Sequence, residues 1–312
     1  MLAMCSCLGD APRDNPLDPQ SGRFAPVYGH VMSLFPPHRP LEGVQVAAPC
    51  FGILDSTDSS GAFSLLYLPP ESVVVVTAGT AFAPCTLVVP PSGPSRNTAE
   101  FYLNALPVIF QASVTSAHEE TWPSGSYEEW ISLTARVDDP DGMGDLDSVW
   151  CTVGSDVVVL DQGSVPGNFS AILNETTRFP FNAEDFVGKE FLFQAMDGQG
   201  ATSTPKTQLL VRVVWEVATL LSPTGLEEVG RTPLLQWVPP VPAYPSALRV
   251  IVVRIDSGVQ TTAWESPLYP ALTDSARVGT SLSVGTYYWA LYTIDSFGNS
   301  GRSREAAFKV VP

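Results

Sequence analysis

Lysine is nearly missing. Only Lys189, Lys206 and Lys309 occur in 312 residues, and with 32 acidic side chains the net charge is −16. A surface of that sign has no cluster of cations with which to neutralise phosphates, which excludes nucleic acid as a partner. Histidine (His30, His38, His118) is too sparse for imidazole-built metal sites, and the five cysteines, at 5, 7, 50, 85 and 151, match no zinc spacing. The longest apolar stretch, LLVRVVWEVATLL at 209–221, is interrupted by Arg212 and Glu216 and falls short of the roughly 20 residues that cross a bilayer. No window longer than about ten residues keeps a 3.6-residue apolar period, so helices are expected to be scarce. Also missing are the G-x-S-x-G elbow, the G-x-x-x-x-G-K-[ST] phosphate loop and H-E-x-x-H. The carboxylates are accounted for by turns, with no positional sign of a two-carboxylate hydrolase. The expectation is a chain that is not an enzyme.

What is present is valine, threonine and aromatic residues in short runs, punctuated by 29 prolines and 24 glycines. Those side chains fit pleated, half-buried surfaces. Hydrophobic residues at 45% against 15% charged are the balance of an ordered globular chain. The length suits two or three domains, each with its own core. The expected fold class is all-β.

The start, MLAMCSCLGDAPRDNPLDPQSG, resembles the cleavage region of bacterial lipoproteins. Ser6 is the small residue before Cys7, Met4 stands in for the usual leucine, and Asp, Asn and Pro dominate 10–19 as in a polar tether. The resemblance implies lipidation at Cys7, a membrane partner through that anchor, and residence in the cell envelope, at the outer membrane or cell surface. Only six residues precede Cys7, whereas an export signal needs about 7–15 apolar residues, so the natural start is expected upstream of Met1. The other reading is a disordered start with two chance cysteines.

Strand candidates follow at 27–33, 44–50, 61–68, 72–79, 85–90 and 99–105, separated by turn residues. The order G-H-V at 29–31, P-L-E-G-V-Q-V at 40–46, T-D-S-S-G-A-F at 57–63, L-Y-L-P at 66–69 and F-Y-L-N at 101–104 resembles the carboxypeptidase regulatory-like domain family. That family is accessory and brings no catalytic residues. Phe63, Leu65 and Tyr67 alternate toward one face. Cys50 and Cys85 share this region and form either a bridge, if the protein is exported, or two separately buried thiols; Cys151, in a strand, reads as a small buried hydrophobe.

The stretch VDDPDGMGDLDS, 137–148, packs five aspartates into twelve positions between strand candidates at 131–139 and 148–154. Further candidates at 157–162, 168–174, 190–197 and 207–214 complete the set of a sandwich. Together with A-M-D-G-Q-G at 195–200, the stretch resembles immunoglobulin-like repeats of bacterial surface proteins. As a calcium loop starting at Asp139 it fails, because Met143 stands at position 5 and Trp150 at position 12, where the template needs oxygen ligands. A type I turn needs nothing extra: Asp139 accepts backbone bonds, Pro140 fixes φ and Gly142 closes the corner. The same Asp-x-x-Gly spacing recurs at Asp58–Gly61, Asp197–Gly200 and Asp295–Gly298, which favours the turn. A looser calcium site built from Asp139, Asp141, Asp145 and Asp147 stays open, since that many carboxylates repel one another unless a cation intervenes.

In the last third, S-P-T-G at 222–225, T-P-L-L-Q-W at 232–237 and G-T-Y-Y-W-A-L-Y-T-I-D-S-F-G-N-S at 285–300 resemble a fibronectin type III-like domain of bacterial envelope proteins. The proline-rich PPVPAYPSA at 239–247 departs from that pattern. Strand candidates are 234–240, 247–256, 261–267, 285–295 and 305–311. Alternation puts Tyr287, Trp289 and Leu291 on one face, with Trp237 beside Trp289 in the core and the Tyr287 hydroxyl bonded back to the chain as a corner tyrosine. Tyr288 and Tyr292, on the other face, either stack on sugar rings or cover a strand.

The reading as a whole is three consecutive immunoglobulin-like or fibronectin-like β-sandwiches, 22–106, 107–213 and 214–312, behind a disordered tether, 1–21. The function it points to is that of a non-catalytic envelope lipoprotein, a structural spacer or protein-interaction scaffold that touches other envelope proteins or glycans. The alternatives are a carbohydrate-binding or calcium-dependent adhesive module, or an accessory part of a secreted enzyme system. No cofactor is required, calcium being the one candidate.

Overall fold

The structure, a computed structural model, describes residues 25–68, 73–77, 81–88, 97–178 and 180–312; Cys7 and the expected tether lie outside them. The fold is all-β. Among the described residues the only helical turns are two short 3-10 segments, Pro49–Phe51 and Ala183–Phe186, and no helix is long and apolar enough to cross a membrane. The described residues fall into two compact units, one within 25–108, 137–148 and 195–204, the other within 109–136, 149–194 and 205–312.

In the first unit a three-stranded sheet (Ala62–Leu68, Ala25–Ser33, Asn97–Leu103) packs on a four-stranded one (Ile53–Ser56, Gln45–Ala48, Val73–Thr77, Cys85–Val88). The period-2 alternation explains the layers: Val27, Val31, Phe63, Leu65 and Phe101 from one sheet meet Val46, Val74 and Val76 from the other in one core. Phe63 and Leu65 thus face inward as expected; the side chain of Tyr67 lies outside the described residues. The run 44–50 stops short of its expected end because Pro49 opens the 3-10 turn and Gly52 closes it at φ 64°. Cys50, exposed on that turn, and Cys85, half-buried, are free thiols, so they are neither bridged nor both buried. Cys151 is buried, as expected, and burial pushes its thiol up to about 12.

The second unit is organised by one 11-stranded sheet. Its main path runs Asp161–Gln162, Asn168–Leu173, Ser126–Asp138, Val108–Thr121, Ser300–Arg302, Gly285–Asp295, Ser246–Asp256, Val259–Glu265. The residues around 213/214, where the sequence reading placed a boundary, lie outside regular strand, and the sheet instead joins strands from either side of that position through the Val108–Thr121/Ser300–Arg302 ladder. The residues expected as one strand, 157–162, divide at buried Leu160: Asp156–Val159 pairs with Leu146–Val153 in a separate four-stranded sheet, while Asp161–Gln162 pairs with Asn168–Leu173 in the long one. In the fibronectin-like part, Trp237 and Trp289 are buried with ring centroids 6.3 Å apart, and Tyr287 donates its hydroxyl to the Ser283 carbonyl at 2.8 Å. Both agree with the sequence reading.

Candidate functional site

The four Asp-x-x-Gly corners are the natural place to look, because each invests a carboxylate in backbone geometry. Three are built alike. Asp58 Oδ1 accepts the N–H groups of Ser60 (2.8 Å) and Ala62 (3.0 Å). Asp197 Oδ1 accepts those of Gln199 (2.9 Å) and Ala201 (2.8 Å), and Asp295 Oδ1 those of Phe297 (2.8 Å) and Asn299 (2.9 Å). In each the glycine N–H returns to the aspartate carbonyl. This is the turn chemistry expected from sequence.

What happens to the second oxygen differs. At Asp295 it is answered: Oδ2 lies 3.4 Å from Arg212 Nε and accepts Asn299 Nδ2 at 2.9 Å. The Asn299 amide, 1% exposed, then accepts the Ser116 N–H at 2.9 Å, and Ser116 Oγ donates to the Arg212 carbonyl at 2.9 Å. Arg212 itself stacks 4.2 Å from the Tyr244 ring centroid. A parallel ladder, Ser300↔Ala117, Gly301↔His118 and Arg302↔Glu119, runs beside this clamp, and Arg302 closes on Glu119 at 2.7 Å. Gly301 is required here, since a Cβ would sit 2.5 Å from the Val214 carbonyl oxygen.

At Asp139 the second oxygen is not answered. Oδ1 accepts only the Asp141 N–H (2.9 Å), because the chain turns again at once, with the Asp145 N–H bonded to the Gly142 carbonyl. Oδ2 is enclosed without a partner, in a side chain whose residue is 3% exposed. The neighbouring Gly198 N–H donates to the Asp145 carbonyl at 2.6 Å, bringing the 197–200 turn alongside. Asp139, Asp145 and Asp197 therefore converge, with ligand oxygens all within 4.8 Å of one another. Asp145 Oδ2 is likewise enclosed and unpartnered. Asp197 Oδ2 accepts Asn104 Nδ2 at 2.6 Å, and the Oδ1 of that same amide is a third enclosed oxygen with no partner. Burial, together with the nearby charges of Asp145, Asp141 and Asp197, pushes the Asp139 carboxyl up to about 6. Burial and the Asp197 charge push Asp145 upward as well.

Of the four aspartates singled out from sequence, the structure brings Asp139 and Asp145 together. Asp141 uses its Oδ2 to accept the Ala105 N–H at 2.7 Å, and Asp147 is exposed on the strand Leu146–Val153, outside the cluster. Asp197 and Asn104 were missed as site residues. The signal for Asp197 was present: A-M-D-G-Q-G repeats the corner chemistry, and a strand neighbouring the one that leaves 137–148 ends there. Nothing local marked Asn104. Tyr288 and Tyr292 are half-buried and engaged, Tyr288 donating to Gln260 Oε1 at 3.0 Å and Tyr292 facing Glu119 Oε1 at 3.5 Å.

No protein-family model matches the chain, and no curated protein matches it. Among solved structures it is similar to the FN1–FN3 domains of chicken CNTN1, at 9% identity over 88% of this chain and 92% of that one, with a TM-score of 0.32. It is also similar to fibronectin(III)-like modules of Clostridium thermocellum CbhA, at 12% identity over 66% and 93%, TM-score 0.30. A DUF3823 family protein from Bacteroides ovatus matches at 8% identity over 60% and 99%, TM-score 0.26. At these TM-scores none of them bears on how this chain works.

Proposed function

We propose that the chain is a non-catalytic, exported structural spacer, anchored to an envelope membrane through a lipidated Cys7 and offering its sandwiches as a rigid scaffold for other envelope proteins. One observation carries the reading. In the second unit the sheet is continuous from the immunoglobulin-like to the fibronectin-like region through the Val108–Thr121/Ser300–Arg302 ladder, locked by the buried Ser116–Asn299–Asp295–Arg212 clamp. Sandwiches joined by linkers move relative to one another by default; a shared sheet with a satisfied polar clamp opposes that motion. Such stiffness suits a spacer.

Limited proteolysis of the full chain, read by mass, tests the stiffness. The segment 210–218, where buried Leu210, Val213 and Val214 interrupt regular strand, should resist cleavage. Release of two stable fragments cut inside it would defeat the proposal. Fatty-acid labelling of the expressed precursor, dependent on Cys7, tests the anchor.

A second reading, glycan binding, has one feature in its favour. A cavity of about 620 Å³ in the second unit is bordered by Glu120, Trp122, Thr219, Arg304 and Glu305, with Trp122 68% exposed and the Arg304 guanidinium 5.0 Å from its ring centroid. An exposed indole among charged hydrogen-bonding groups is the equipment for holding a sugar ring. Glycan-array binding lost in Trp122→Ala and kept in Tyr288→Phe would support it; a blank array would remove it.

A further inference from the structure

We propose that Asp139, Asp145 and Asp197 bind one calcium ion, with the side-chain oxygen of Asn104 as a neutral additional ligand. The site does not depend on the spacer reading, and its failure would leave that reading intact.

Acidic side chains often gather at surfaces without consequence, but this group differs in two respects. First, three of its oxygens are enclosed without a partner. Asp139 is 3% exposed and its Oδ2 has no partner; Asp145 Oδ2 and Asn104 Oδ1 are in the same condition. A buried oxygen with unused lone pairs costs free energy unless a donor or cation meets it, and three in one place call for the same remedy. Second, no basic side chain supplies that remedy: among the described residues no ion pair involves Asp139, Asp145 or Asp197. The Asp295 corner, which opens on the same Asp-x-x-Gly turn, has Arg212 in that role.

The donor set selects the metal. It is all oxygen, three carboxylates and one amide, which suits a hard cation rather than zinc or copper. Oxygens within 4.8 Å of one another are close enough to share one cation, and calcium accepts an irregular, flexible set of this kind, whereas magnesium demands near-ideal octahedral geometry and keeps most of its water. The ion would pin three segments of the first unit: 104–105, the corner 139–145 and the turn 197–200. Gly198 is part of the construction, since a Cβ there would meet Asp145 Oδ1 at 3.0 Å.

The test uses the full chain stripped with a chelator. Thermal melting and titration calorimetry are run with calcium up to about 10 mM, above the 10⁻⁴–10⁻³ M range of extracellular calcium modules. Calcium should raise the melting temperature of the wild type and of Asp147→Asn, and bind both with one-to-one stoichiometry. Asp139→Asn and Asp145→Asn should fold in chelator, lose the calcium-dependent rise, and bind calcium about tenfold more weakly or worse, as removal of a charged ligand predicts. No heat and no shift in the wild type would overturn the proposal. So would an equal shift in all four proteins, or an equal response to magnesium.

Discussion

Asp295 and Asp139 begin the same kind of turn, and they end in opposite circumstances. Each buries its carboxylate, and each uses Oδ1 to hold the backbone of its own corner. At Asp295 the other oxygen meets Arg212 and the Asn299 amide, and the corner becomes the lock of the second unit. At Asp139 the other oxygen has no partner, and the charges beside it are those of Asp145, Asp141 and Asp197. The contrast shows that Asp-x-x-Gly is a backbone device in itself; whether it becomes a structural clamp or a cation site is decided by what faces the second oxygen.

The largest effect should come from breaking the answered corner. Asp295→Ala leaves Arg212, the Asn299 amide and two backbone N–H groups without their acceptor. Removing one member of a buried ion pair costs about 3–5 kcal/mol, measurable as a drop in the denaturant midpoint. Gly301→Ala attacks the same region by volume alone, placing a Cβ 2.5 Å from the Val214 carbonyl oxygen. Overpacking of this kind costs about 1–3 kcal/mol, again read by denaturant unfolding. A change of the opposite sign belongs to the other corner. In chelator near neutral pH, Asp139→Asn removes a buried, repelled charge while keeping an oxygen for the Asp141 N–H, and should stabilise the first unit by about 1–3 kcal/mol, the upper end being the scale of the shift from 3.8 to about 6.

The pH dependence of the two units should also differ in sign. Asp139 has its folded value raised from 3.8 to about 6, so its contribution to stability is complete below 3.8 and lost as pH rises through about 6. His118, its ring tilted against those of Tyr127 and Trp215 and its Nδ1 enclosed, has its value lowered from 6.5, chiefly by burial. Its contribution is complete above 6.5 and lost as pH falls through the folded value. Hydrogen exchange in chelator between pH 7 and 5 should therefore show protection rising around Asp139 and falling around His118, with the second trend absent in His118→Phe. This is the smallest of the expected effects.

How much of this was legible in the sequence depends on which side chains carried the information. The apolar alternation of 285–295 announced both its strand and its inward face, down to Tyr287 and its hydroxyl. The strand Val108–Thr121 escaped notice because four of its inward positions are Ala112, Val114, Ser116 and His118, small or polar residues whose burial makes sense only once Asn299, 183 positions away, supplies a partner to Ser116. The break at Leu160 was invisible for a related reason: two sheets compete for one run of valines, and composition does not say which wins. Asp139 and Asp145 were readable as a carboxylate cluster, whereas Asp197 and Asn104 joined them through tertiary neighbours. Local chemistry thus marked the turns, and long-range pairing chose the site among them.

The most direct measurement is an anomalous difference map from crystals of the full chain grown with calcium. A single peak bounded by Asp139, Asp145 and Asp197, with none at the Asp58 or Asp295 corners, is the predicted result. A map with no peak at Asp139, or with equal peaks at all the aspartate corners, would contradict the account.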